Sequence, residues 1–191
     1  VGTLQAQALM AEFDAQGVTD PRLIWINGSS KTAESAVFEK GAKDAISDTT
    51  TIVKLGEMPG WKPEEAQQLV EAQIASGGAD SFDGVLVAND GGAGGVFAAL
   101  NAAGIDPRTK PTTGQDAELA GVQRILAGQQ FMTVYKPLQK LAEASATLAC
   151  NLVKGEADAW PSDADPTTVD NGTGEIPAML IPPVAVTVDG K

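Results

Sequence analysis

The run Gly84-Val-Leu-Val-Ala-Asn-Asp-Gly-Gly-Ala-Gly-Gly95 passes within one short stretch from a strand to the mouth of a helix. Its first residues are apolar and β-branched, which suits a buried strand, and Asn89 and Asp90 then offer side-chain oxygens suited to a helix N-terminus. The glycines that follow allow a tight turn and close packing of the helix.

Working outward, the same strand signal appears at Arg22-Leu-Ile-Trp-Ile-Asn27 and Thr51-Ile-Val-Lys-Leu55 upstream, and at Pro111-Thr-Thr-Gly-Gln115 and Phe131-Met-Thr-Val-Tyr135 downstream. Helical patterns fill the gaps. Residues 63–76 open with Pro63, Glu64 and Glu65 and place Ala66, Leu69, Val70 and Ile74 on one face. Leu119, Val122 and Leu126 form the expected face of a helix after Asp116, and Leu138, Leu141, Ala142, Leu148, Ala149 and Leu152 that of a helix over 138–153. Strand and helix alternating at intervals of about thirty residues predict an α/β fold, a three-layer parallel sheet with helices on both faces. The region from Gly155 to Pro183 carries Pro161, Pro166, Pro177, Pro182 and Pro183 and reads as a loop-rich connection before a last strand, Val184-Ala-Val-Thr-Val188.

Composition narrows the chemistry. The chain has 191 residues, 43% hydrophobic and 20% charged, enough to bury a core. Lys and Arg number 13 against 25 Asp and Glu, a net charge of −12 that repels phosphate at long range and argues against nucleic acid or an anionic membrane as partner. There is no histidine, which removes the commonest metal ligand and general base, and the single cysteine, Cys150, can form neither an intrachain disulfide nor a multi-cysteine zinc site. No metal or cofactor is therefore expected. No run approaches the roughly 20 apolar residues of a membrane helix, so no direct membrane insertion is expected. Val1 is neither Met nor the start of a basic-then-apolar leader, and it is read as lying downstream of the encoded start.

In open α/β sheets ligands bind beyond the carboxyl ends of the strands. What each strand hands to its loop is therefore informative: Asn27-Gly-Ser-Ser-Lys-Thr-Ala-Glu34, then Gly56-Glu-Met-Pro-Gly-Trp61, Asn89-Asp90, Gln115-Asp116 and Tyr135-Lys136-Pro137. Amides, carboxylates, a lysine and an indole suit a polyhydroxylated neutral ligand. Oxygens accept from its hydroxyls, nitrogens donate to them, and an aromatic face covers its C–H surface. Each hydrogen bond contributes only about 0.5–1.5 kcal/mol, so several must converge.

Other roles compete at each position. Asp90 serves a cap or tight turn as readily as a ligand, whereas for Asn89 the ligand reading leads. Trp61 lies on a loop at a helix start, where an exposed interfacial Trp is the alternative; Trp25 sits inside an apolar strand and reads as core, and Trp160, beside Pro161, as loop packing. Asp116 can cap a helix beginning at Ala117. Lys136, held extended before Pro137, points at the crevice or is a solvated lysine. Cys150, on the apolar side of its helix, reads as a small core residue. The glycine run lacks the spacings of phosphate-binding loops.

Taken together, Val87-Ala-Asn-Asp-Gly-Gly-Ala-Gly-Gly95, Thr113-Gly-Gln-Asp-Ala-Glu-Leu-Ala-Gly121, Met132-Thr-Val-Tyr-Lys-Pro137 and Gly60-Trp61-x-Pro-Glu-x-Ala-Gln67 resemble the xylose-type sugar-binding proteins of bacterial ABC importers over almost the whole chain. The resemblance implies a lobe of the type I periplasmic-binding-protein fold: two α/β lobes joined by three crossing segments, sugar in the cleft between them, and closure that presents both lobes to a membrane permease outside the cytoplasm, in the periplasm or on the outer face of the cell membrane. It implies Trp61 stacking on a monosaccharide, xylose or a related pentose or hexose, with Asn89, Asp116 and Lys136 bonding its hydroxyls. Where such relatives carry Asp and Asn after the first strand, this chain has Ser29-Ser-Lys-Thr-Ala-Glu-Ser35, leaving Glu34 as the comparable acceptor.

The resemblance also assigns residues 1–136 to the second lobe, 137–181 to a first lobe whose remainder is absent, and 182–191 to a strand returning to the second lobe. The chain is thus expected to be a fragment or to pair with a separate first-lobe polypeptide. No enzymatic activity is expected, since glycosidase chemistry needs two facing carboxylates and only Asp116 and Glu34 are candidates. A sugar-sensing domain of a transcription regulator or signalling receptor is the alternative, favoured only by a basic helix-turn-helix upstream. A phosphotransfer receiver ranks below both, lacking an acidic pair at the end of the first strand.

Overall fold

The computed structural model describes residues 1–156, 160–161, 166–188 and 190. Two compact units divide the chain, Val1–Tyr135 with Val184–Lys191, and Lys136–Pro183.

In the larger unit, β1 (Arg22–Asn27) is central, flanked by β2 (Thr51–Glu57) and β3 (Gly84–Val87) in the order β2-β1-β3, all parallel. Alternation along the strands divides the core between two faces. Ile24, Ile26, Val85 and Val87 meet Val70 of α3 (Pro63–Gly77) and Val96 and Leu100 of α4 (Asp90–Ala102) on one side. On the other, Leu23, Trp25 and Leu86 pack with Leu9 and Phe13 of α1 (Gly2–Ala15) and Ala42 of α2 (Ala33–Lys43). The parallel sheet with helices on both faces follows from two such stripes, and Trp25 is core, as its strand position predicts.

The expected strand at 111–115 forms no regular ladder, but the segment is inserted between its neighbours. Val85 N–H donates to Pro111 O at 2.9 Å and Thr113 N–H to Val85 O at 3.1 Å on one side; on the other, Phe131 N–H reaches Thr112 O at 3.1 Å and Asp116 N–H reaches Val134 O at 2.9 Å. The strand at 131–135 is β4 (Met132–Tyr135), whose regular partner is the last strand, antiparallel, rather than another parallel neighbour. The helix expected from Ala117 is α5 (Leu119–Leu126), preceded by Glu118. Its buried face is Gly121 and Ile125, while Leu119 and Leu126 are exposed, a correction to the predicted stripe. Gly121 is buried because α5 comes so close to Asp90 that a Cβ at 121 would overlap its carboxylate.

The smaller unit consists of α6 (Leu138–Val153) and a two-stranded antiparallel hairpin, β5 (Pro166–Asp170) with β6 (Glu175–Met179); the last strand of the chain, β7 (Val184–Thr187), returns to the larger unit. The hairpin corrects the loop-rich reading of this region: β-branched Thr167, Thr168, Val169 and Ile176 flank a turn in which Asn171 Oδ1 accepts from Thr173 N at 3.0 Å and Gly174 N at 3.2 Å. No residue of the expected α6 stripe is buried: Leu138, Leu141 and Leu152 are exposed, and the buried residue of this helix is Ala144, which lies outside that stripe. Cys150 is exposed as well, against the expectation of a core residue, because nothing among the described residues covers this helix face.

Candidate functional site

The carboxyl ends of β1, β2, β3 and the 111–116 segment lie along one edge of the larger unit, and four of the five expected ligand residues follow them. Lys136 follows β4 directly and is the first residue of the smaller unit.

Trp61 sits after β2 in a turn closed by its own N–H donating to Met58 O at 3.1 Å. Its φ is +56°, a left-handed conformation that costs a non-glycine residue energy. The loop is tied to the start of α3, where the Glu65 carboxylate accepts from Gly60 N at 3.0 Å and Lys62 N at 3.1 Å. The indole is half-buried against the core and passes over Gly28, the residue after β1, where a Cβ would overlap ring carbons Cη2 and Cζ2. Gly28 is thus the floor beneath Trp61, a role its sequence position does not announce.

The rest of the loop after β1 is held from below. Glu57, at the end of β2, accepts from Ser30 N at 3.0 Å; that hydrogen bonding, with nearby Lys31, keeps its carboxyl below the ordinary range. Glu34 lies in the first turn of α2 and is exposed.

Asn89 is half-buried and caps α4, its Oδ1 accepting from Gly92 N at 2.8 Å. That bond uses one lone pair of the amide oxygen and leaves the amide donors of Asn89 outside the cap. The reading of a cap is therefore correct for Asn89 and wrong for Asp90, which is fully buried and makes no cap.

Asp116 is exposed at the end of the inserted segment, with φ +95°, and Ala117 follows with φ +50°. Together with Trp61 they are the non-glycine residues at positive φ among those described. The N-cap position of α5 is Glu118, two residues beyond Asp116. Beside them Gln115 is 2% exposed, its Nε2 reaching Ala88 O at 3.3 Å while its Oε1 finds no hydrogen-bond partner among the described residues. Among the described residues no group of three His, Cys, Asp or Glu side chains could hold a metal.

The edge therefore presents an indole, an amide and an exposed carboxylate on rigid elements, two of them on strained backbone. Chemically, such groups can donate and accept hydrogen bonds and cover an apolar face.

The comparisons agree with that reading of the fold. A family model described as a periplasmic binding protein domain matches residues 1–157. The D-xylose-binding periplasmic protein of Escherichia coli (strain K12) is 35% identical over 191 aligned residues, covering 97% of this chain and 54% of that protein. The multiple sugar-binding periplasmic receptor ChvE of Rhizobium radiobacter is 29% identical, with 97% of this chain and 56% of the receptor covered. Among solved structures, an ABC transporter solute-binding protein from Clostridium phytofermentans with bound β-D-glucose superposes with a TM-score of 0.78 and 28% identity, covering 98% of this chain and 61% of that one. The chain spans about half the length of the curated relatives it matches.

Proposed function

From the premise that the chain belongs to the periplasmic binding protein domain family, we propose that it is part of the solute-binding component of a bacterial ABC sugar importer and holds an uncharged monosaccharide, xylose or a related pentose or hexose. Trp61 covers the C–H face of the sugar; Asn89, Asp116, Lys136 and Glu34 bond its hydroxyls. The protein binds and releases its ligand outside the cytoplasm without chemical change and delivers it to a membrane permease.

The observation that carries this reading is the left-handed backbone at Trp61 and at Asp116, the aromatic and the carboxylate of the rim. Strain of this kind persists where the surroundings over-determine it, and it clusters at ligand contacts. The names of the relatives support the ligand class.

The smaller unit belongs, on this proposal, with a first lobe that the relatives hold in the part of their length the chain does not match. Its exposed Leu138, Leu141 and Leu152 are the surface that lobe covers, worth about 25 cal/mol for each Å² of apolar area removed from water. Hinge motion falls at Tyr135–Lys136 and Pro183–Val184, where the chain passes between units.

Titration calorimetry of the full-length protein against a panel of pentoses and hexoses tests the proposal. Heat with at least one neutral sugar, largely lost in Trp61→Ala and Asp116→Ala, is expected; undiminished heats in both variants, or heat with phosphorylated ligands alone, would overturn it.

A further inference from the structure

Asp90 is the most completely enclosed carboxylate of the larger unit. It is 0% exposed, yet each oxygen is occupied: Oδ1 accepts from Gln130 Nε2 at 2.7 Å, and Oδ2 accepts from Glu118 N at 2.9 Å and from the Thr133 hydroxyl at 2.9 Å. Two glycines make room for it, because a Cβ at Gly114 or Gly121 would overlap the carboxylate. Arg124 closes the far side, donating to Asp90 O at 2.7 Å and to Gln130 Oε1 at 2.9 Å.

A second set of bonds ties the turn that carries Asp116 to Asp90 and to β4. Gln115 O accepts from Asp90 N at 3.0 Å, Asp116 N donates to Val134 O at 2.9 Å, Ala117 N to Thr133 Oγ1 at 3.2 Å, and Glu118 N to Asp90 itself. Four successive residues are thus tied either to Asp90 or to β4, whose Thr133 bonds Asp90. Two of the four, Asp116 and Ala117, are non-glycine residues at positive φ.

We propose that Asp90 is a positioning residue: its buried carboxylate holds the Asp116–Ala117 turn left-handed, and so sets affinity for the sugar without touching it. The proposal rests on the reading of Asp116 as a sugar ligand. An amide cannot replace the carboxylate. Asn at 90 would present its single oxygen either to Gln130 or to the Glu118 and Thr133 donors, and its NH₂ group would face a donor on the other side. Gln130 cannot flip to compensate, since its Oε1 serves Arg124 and its Nε2 also bonds Met132 O at 3.0 Å.

The test is calorimetry on the full-length protein with D-xylose and D-glucose, with thermal melts to confirm folding. Asp90→Asn is expected to lower affinity about tenfold or more. Adding Ala117→Gly, which lets the turn adopt positive φ unaided, is expected to recover at least about threefold of that loss. A merely structural role for Asp90 would not be relieved by a glycine at 117. Wild-type affinity in Asp90→Asn, or a loss that Ala117→Gly leaves untouched, overturns the proposal. Should Asp90→Asn fail to fold, Thr133→Val is expected to give the same loss and the same recovery, and their absence overturns it equally. Should the wild type give no heat with either sugar, the sugar reading fails separately, and crystal structures decide this one: departure of residues 116 and 117 from positive φ in Asp90→Asn supports it, and an unchanged turn contradicts it.

Discussion

Gly28 lies directly beneath the indole of Trp61, so close that a methyl group at 28 would overlap the outer edge of the ring. Two loops, one after β1 and one after β2, meet in this single contact. A residue with no side chain thereby fixes where the large aromatic of the site can sit.

Gly28→Ala is expected to lift the indole from its seat. Sugar affinity in the full-length protein should fall about tenfold or more, with a shift in tryptophan emission, while the fold persists. Unaltered affinity would mean that the seat of Trp61 is irrelevant to binding.

The tryptophans at 25 and 61 should separate stability from binding. Trp25 is 6% exposed between the sheet and α1, and Trp25→Ala is expected to cost about 3–5 kcal/mol of stability. Trp61 is half-buried on the rim, and Trp61→Ala is expected to cost less in a denaturant melt but most of the sugar heat.

Asp116→Gly should trade function for stability. Glycine adopts the φ of +95° without strain, and after its greater chain entropy is offset a gain of about 1 kcal/mol is expected from chemical denaturation. The same variant loses its carboxylate and should lose most sugar binding. A protein stabilised and still binding would remove Asp116 from the site.

The pH dependence of stability is read at the opposite edge of the sheet. Burial raises the Asp83 carboxyl, but hydrogen bonds from Arg22 N and from its guanidinium, at 2.8 Å each, outweigh it and hold the group below its ordinary value of 3.8. A depressed carboxyl stabilises the fold above its unfolded value, and that contribution is lost as pH falls through the folded one. Asp83→Asn is expected to destabilise by about 1 kcal/mol at neutral pH, the Arg22 side chain being partly exposed and screened. The gap from wild type should close as pH drops below 3.8.

The sequence reveals most of this architecture where a residue's partner is its own periodicity. The apolar strands at 22–27 and 84–87 and the helix at Pro63 are legible because alternation, helical spacing and a proline at the first turn are local. Misreadings arise where a distant element decides. Leu119 and Leu126 look like a core face, but Gly121 turns inward because Asp90 approaches it. Cys150 and the α6 leucines carry a helical apolar spacing, yet they are exposed, because spacing alone does not supply the layer that would cover it. The rim residues were visible as strand ends, whereas Gly28, Thr133 and Gln130 were not, since nothing in their own neighbourhoods marks them as supports.

The most direct measurement is a crystal structure of the full-length protein with D-xylose. The account predicts sugar density with its ring against the Trp61 indole and its hydroxyls within hydrogen-bond distance of Asp116 and Asn89. A sugar bound elsewhere, with Trp61 and Asp116 facing solvent, would contradict it.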